Sequence, residues 1–141
     1  MIKEELHIEC PPTTAFDLMA DVRNLPSWNE GASRAELLTE EPIGPGTRFV
    51  TVDRGQEMTS EVTTYERPGC IDFDVTSRFM DVGSTFTFTP ADGGTRLAIE
   101  FEPRPKGVMR VLFPLLSPVI RRDLRTQHRK FKTFCEQPQD A

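Results

Sequence analysis

The longest regular pattern in the chain lies near its end. From Gly107 to Glu136, Met109, Leu112, Phe113, Leu116, Ile120, Leu124, Phe131 and Cys135 recur at three- and four-residue steps, which places them on one face of a helix. Arg121, Arg122, Arg125, Arg129, Lys130 and Lys132 fall on the other face. A helix of about thirty residues would be roughly 45 Å long at 1.5 Å per residue, too long to hide inside a small domain. The pattern therefore predicts a helix laid across something broad. Pro114 and Pro118 fall inside it. An internal proline removes a backbone hydrogen bond and clashes with the preceding turn, so a kink or break is expected near Phe113 to Ser117. Gly107 to Leu116 then reads either as a separate short helix or loop or, with Val108 to Leu116 apolar, as a movable cover for a cavity mouth.

The rest of the chain supplies the broad partner. Ile2, Leu6, Ile8 and Cys10 alternate with Lys3, Glu5, His7 and Glu9, the mark of a half-buried strand. Pro11-Pro12 ends it. Thr13 to Ala20 reads as a short helix with Phe16, Met19 and Ala20 inward, and Asp21 to Asn29 as a second helical stretch broken at Pro26. Strands are expected over 32–39, 47–53, 57–67, 70–78, 82–89 and 95–102, separated by turn words such as Arg54-Gly55, Pro68-Gly69 and Asp92-Gly93-Gly94. Pro103 to Pro105 is expected to end the sheet. Consecutive strands joined by short turns pair antiparallel. The expected fold is α+β: strand, two short helices, six strands and a long helix, with a curved antiparallel sheet of about seven strands wrapped around that helix. A curved sheet and a straight helix cannot close on each other everywhere, and such a gap is where an apolar ligand would sit.

Length and composition narrow the picture. The 141 residues suggest one domain, expected at 1–136 with 137–141 as a flexible tail. The net charge of −5 is unevenly spread: residues 103–135 hold nine basic residues and one acid, whereas residues 1–102 hold eight basic and nineteen acidic. Either the basic helix balances an acidic sheet, or it presents a basic surface to an acidic partner. Cys10, Cys70 and Cys135 are odd in number and lack paired spacing, which fits a reduced, cytoplasmic chain using cysteine as a small apolar residue. The N-terminus MIKEELHIE has no apolar core for a signal peptide. The most apolar run, Val108 to Ile120, is short of the ~20 residues that span a bilayer.

Candidate chemistry is sparse. Acid–base work favours a group that titrates near neutrality, and there are two histidines. His7 lies on the polar side of the first strand. His128 lies four residues after Leu124 and three before Phe131, toward the inner face, with Gln127 beside it. It reads either as a histidine bonded to the sheet or as a polar anchor or acid/base in the gap. Arg48, Arg78 and Tyr65 are further polar candidates, although arginine is ordinarily a surface residue. Glu57 with Glu61 and Asp72 with Asp74 share strand faces but have no glycosidase-like pairing. No metal-ligand spacing, third glycine of a dinucleotide loop or phosphate-binding GK[ST] is present. No metal, cofactor or nucleic acid is expected.

The order of elements and several local words resemble a known superfamily. Cys10-Pro11-Pro12-Thr13-Thr14-Ala15-Phe16-Asp17-Leu18, Asp21-Val22-Arg23-Asn24-Leu25-Pro26-Ser27-Trp28, Gly44-Pro45-Gly46-Thr47-Arg48-Phe49, Val62-Thr63-Thr64-Tyr65-Glu66-Arg67-Pro68 and Phe86-Thr87-Phe88-Thr89-Pro90 with Gly93-Gly94-Thr95-Arg96-Leu97 occur in the right order. In these the chain resembles the SRPBCC (START-like, Bet v 1-like, helix-grip) superfamily, and within it the polyketide cyclase/dehydrase and lipid-transport group. The resemblance implies a hydrophobic cavity and no single activity. It places Trp28 at the cavity mouth. The further aromatics that follow this position in similar cyclases are missing from Asn29 to Ala35. Three readings follow. One is a binder of a small hydrophobic or aromatic ligand such as a lipid, quinone or polyketide, walled by Met58, Phe73, Phe86, Phe88, Met109, Phe113 and Leu116. The second is a cofactor-independent cyclase or dehydratase using His128, Arg78 or Arg48. The third is an interaction module using the basic helix face.

Overall fold

The computed structural model describes residues 1–137. Seven strands make one antiparallel sheet: β1 (Ile2–Ile8), β2 (Ala32–Leu37), β3 (Arg48–Asp53), β4 (Gln56–Glu66), β5 (Cys70–Ser77), β6 (Met80–Ala91) and β7 (Gly94–Pro105). Their order across the sheet is β1-β7-β6-β5-β4-β3-β2. The first and last strands are therefore neighbours, and β1 and β2 are the two edges. Between β1 and β2 the chain must cross the whole sheet. It does so through α1 (Pro12–Ala20), a 3₁₀ turn (Val22–Asn24) and α2 (Leu25–Trp28). After the meander returns to β1, α3 (Met109–Glu136) packs against β1, β7 and the short helices. This is the expected helix-grip arrangement. The tail expected at 137–141 lies, beyond Gln137, outside the described residues.

Local chemistry accounts for the boundaries. Pro12 sits in the first turn of α1 and Pro26 in that of α2, where a missing N–H breaks no helical bond; Pro26 thus starts a helical turn rather than breaking one. Register slips between Ala32 and Arg34 and between Val62 and Thr64 mark bulges, which bend a sheet. One expectation fails. β7 does not stop before Pro103: Pro103 and Pro105 pair with Val82 and Met80. Its pairing with β1 ends at Phe101, so beyond that point one side of β7 is open and a proline facing it costs no ladder bond. Of the kink or break expected in α3, the break is absent: the helix runs through Pro114 and Pro118 to Glu136. The carbonyls they leave without a helical partner, those of Arg110 and Pro114, lie on exposed turns where water can reach them.

The core is filled at one end and left open at the other. Phe16 packs edge-on against Tyr65 at 5.3 Å and Phe88 at 5.5 Å, and Ile8, Phe49, Val62, Ile71, Leu97 and Phe131 are fully buried. Thr95 Oγ1 donates to the Cys10 carbonyl at 2.8 Å. Cys10 and Cys135 are buried, free thiols close to each other, and burial pushes both upward from the ordinary thiol range, Cys135 most strongly.

Phe131, which also meets Trp28 edge-on at 5.2 Å, fixes α3 to this core. Phe131→Ala is expected to cost about 3–5 kcal/mol, read as a lower midpoint in urea unfolding. Cys10 and Cys135 should resist alkylation in the folded protein at mildly alkaline pH and react once urea unfolds it. Native labelling of Cys135 at the rate of a free cysteine would show that this end of the core is not closed.

Candidate functional site

At the open end of the grip, the helices α1–α2, the inner faces of β3–β7 and the fifth and sixth turns of α3 enclose a cavity of about 250 Å³. Its walls are mostly apolar: Leu18, Met19, Val22, Leu25 and Trp28 from the crossover, Met58, Phe73, Val75, Val82, Phe86 and Phe101 from the sheet, and Leu124 from α3. The aromatic side is built edge to face, Phe73 to Phe86 at 6.1 Å and Phe86 to Phe101 at 6.0 Å. Where these strands would carry further apolar residues, they carry Thr51, Ser60 and Ser84 instead. These small side chains leave the space unfilled.

Polar groups gather where α3 meets this space. The His128 ring lies parallel to Phe101 at 5.5 Å, and its Nδ1 is bonded to Glu4 of β1. Both side chains are nearly enclosed, at 5% and 14% exposure. Glu4 occupies the Nδ1 side of the ring, and Nε2 has no hydrogen bond among the described residues. Gln127, also buried, lines the cavity with an Oε1 that has no partner. Asp53 Oδ1 is likewise buried without a partner. A side chain on Gly31 would place its Cβ 2.4 Å from that oxygen, which is why glycine stands there. Asn29 lines the cavity as well, but its Oδ1 accepts from Gly31 N at 3.0 Å and caps the turn.

One ion pair closes the rim. Arg54, at the tip of the β3–β4 hairpin, holds Asp123 of α3 with two bonds of 2.8 and 3.1 Å. The Arg54 guanidinium keeps the Asp123 carboxyl below the usual carboxylate range, and the nearby Gln127 amide adds a smaller effect. Two-point pairing of this kind fixes geometry more than it adds stability when it is solvent-exposed. It sets the distance between hairpin and helix at the cavity edge.

The structure brings six of the expected site residues together: Trp28, Met58, Phe73, Phe86, Gln127 and His128. Phe88 faces inward but packs against Phe16 at the closed end. Met109, Phe113 and Leu116 sit on the part of α3 that runs beyond the cavity and are not in its wall. The expected cover, Val108 to Leu116, does not lie over it. Arg48 and Arg78 are exposed and away from it, Arg78 with its guanidinium 5.3 Å from the Phe79 ring. Glu4 was missed, yet it left a sign: it is the one polar residue among Ile2, Glu4, Leu6 and Ile8, the inward positions of β1. Among the described residues, no cluster of histidine, cysteine and carboxylate side chains could hold a metal ion.

The family described as polyketide cyclase / dehydrase and lipid transport matches residues 2–136. The chain belongs to that family. Solved structures that share this cyclase/dehydrase and lipid-transport fold include a protein from Thermus thermophilus, at 18% identity and TM-score 0.79 over 95% of each chain. A START superfamily protein from Mycobacterium smegmatis matches at 14% identity and TM-score 0.78, over 96% of this chain and 97% of that one. The Zhui aromatase/cyclase from Streptomyces sp. R1128 matches at 15% identity and TM-score 0.74, over 96% and 93%. At these identities the likeness establishes the fold and not an activity. Among curated proteins none matches the chain by sequence.

Because Asp123 titrates below its ordinary value, the Arg54 pair adds stability above about pH 4 and loses it as pH falls through the depressed value. The melting-temperature gap between the wild type and Asp123→Asn should be present at neutral pH and close in acid. A gap that persists at low pH would mean that the substitution acts through packing and not through this charge.

Proposed function

We propose that this protein binds a small, largely apolar molecule of one or two rings that carries a hydroxyl at one end. The observation that supports this most directly is the apolar cavity with a buried, unpartnered acceptor, Gln127 Oε1, at its polar side. A buried acceptor left unmade costs about 1–3 kcal/mol, and a ligand hydroxyl would recover it. A cavity of about 250 Å³ is small for a drug-sized ligand pocket, which runs from about 300 to 1,000 Å³. This favours a phenol, hydroquinone or enolised polyketide fragment over a long acyl chain. The aromatic edges of Phe73, Phe86 and Phe101 suit a ring.

A second reading has an observation of its own. Glu4 and His128 form the base–orienter pair of general acid–base chemistry. With Nδ1 held by Glu4, Nε2 could take a proton from an enolisable ketone and return it to a leaving hydroxyl, as a cyclase or dehydratase requires. Cavity, orientation and proton acceptor would all come from this chain.

Trp28 is the single tryptophan and lines the cavity, so its fluorescence reports occupancy. Titration with 1-naphthol should change it saturably, and Ser84→Phe should abolish the change by filling the space. Gln127→Leu should weaken naphthol about tenfold, the worth of one hydrogen bond, and leave naphthalene unchanged. Naphthol binding indifferent to both substitutions would sink the binding reading. For catalysis, His128→Gln and Glu4→Gln should each slow conversion of a synthetic poly-β-ketone by about 10²-fold or more; unchanged rates in both would exclude the pair.

A further inference from the structure

The outward face of α3 is divided along its length. In its first half, Val111, Leu115 and Val119 are 75%, 76% and 65% exposed. Spaced four residues apart, they form one line on the side away from Gln127, Phe131 and Cys135. Val108, Leu112 and Leu116 widen it. Together these are six of the eight large apolar residues exposed on the described surface. Farther along the same side, Arg122 and Arg129 continue the line, with Arg121 and Arg125 beside them and Arg110 at the start; all five are exposed.

These arginines are not balanced within the molecule. Ten other cations are matched, among them Lys130 to Glu30 at 2.8 Å, Lys106 to Asp81 at 2.8 Å and Arg54 to Asp123. Seven of the seventeen Lys and Arg residues have no ion pair among the described residues, and five of the seven are on α3. A sixth, Arg78, sits at the β5–β6 turn. That turn adjoins the start of α3 through a bond from Lys106 N to the Phe79 carbonyl.

We propose that this face of α3 docks on the surface of an anionic lipid bilayer. The apolar first half would enter the headgroup–acyl boundary, and the arginines would meet lipid phosphates and carboxylates. Among the described residues no helix is long and apolar enough to cross a membrane, so the helix lies on the bilayer. Charge decides among occupants. A second copy joined by a two-fold axis would set arginine against arginine. A nucleic acid would satisfy the arginines and leave the apolar half in water. Of these three, only an anionic bilayer matches both halves.

The test is co-sedimentation of the whole protein with sucrose-loaded vesicles of phosphatidylcholine, with and without about one-third phosphatidylserine. Binding is expected only to the anionic vesicles and should weaken with added salt. Arg122→Gln with Arg125→Gln should weaken it about 25-fold, at roughly fivefold per arginine. Leu115→Ser with Val119→Ser should weaken it by about tenfold or more. All four positions are exposed, so the melting temperature and naphthol binding should be kept, which separates this proposal from the cavity reading. The proposal is overturned by failure to bind anionic vesicles, by binding that neither pair of substitutions weakens, or by self-association that Leu115→Ser abolishes in a protein that ignores vesicles.

Discussion

A long helix can touch a curved sheet over only part of its length, and this constraint shapes the whole molecule. Of the 28 residues of α3, only Gln127, His128, Phe131 and Cys135 are buried. That short contact is fixed on every side. Phe131 wedges against Trp28, Cys135 meets Cys10, and Glu136 accepts from Glu9 N at 2.8 Å. Lys130 reaches Glu30, and Asp123 reaches Arg54. The β1–α1–α2–β2 crossover takes part at several of these points, because it must traverse the inner face to reach the far edge. Behind the contact, where Phe16 and Phe88 meet, the core closes; on the other side of it the gap stays open.

What keeps the gap open is the choice of small polar residues at positions that could have closed it. Thr51, Ser60 and Ser84 occupy inward positions on β3, β4 and β6. Larger apolar side chains there would fill the space and leave the strand pairing untouched. The polar groups drawn to the gap are unevenly satisfied. Glu4 and His128 answer each other, Asp123 is answered twice, and Gln127 Oε1 is not answered at all. An unmet acceptor in an apolar space lowers the stability of the empty protein. A ligand that meets it raises stability by mass action, so occupancy and stability are linked.

Alternation and helical spacing revealed which way side chains face, and this made the fold legible. The seven strands, the antiparallel pairing of consecutive ones and the long helix follow from it; the pairing of β1 with β7 does not. The spacing could not reveal where along the gap a residue falls. Phe86 and Phe88 share a face and differ by two positions, yet one lines the cavity and the other plugs the closed end. Met109 and Phe113 lie toward the inner side of α3 and Leu116 at its exposed edge, but that side has left the cavity by the time it reaches them. Arg48 and Arg78 had inviting neighbours, and neighbours in sequence do not fix an orientation. The Glu4–His128 pair joins residues 124 positions apart, so no local pattern could announce it. Its trace was a single carboxylate on an apolar parity.

The two prolines of α3 fit the same division of the helix. A proline inside a helix leaves the carbonyl four residues back without its bond, at a cost of ~3 kcal/mol or more where nothing replaces it. On the buried face of the stretch that holds Phe131 and Cys135 against the sheet, no water could replace it. Pro114 and Pro118 both lie before that stretch, on turns open to solvent, where the freed carbonyls can be hydrated and the helix continues. Their position marks a boundary. The chain after them is constrained by packing, and substitutions there are felt by the core and the cavity. The chain before them is held by backbone bonds and little else, so its outward side chains are free to be apolar. Nothing in the fold requires Val111, Leu115 and Val119 to be apolar, since the domain gains no burial from them. Some contact outside the domain would have to account for them, and the unpaired arginines on the same side constrain what that contact can be.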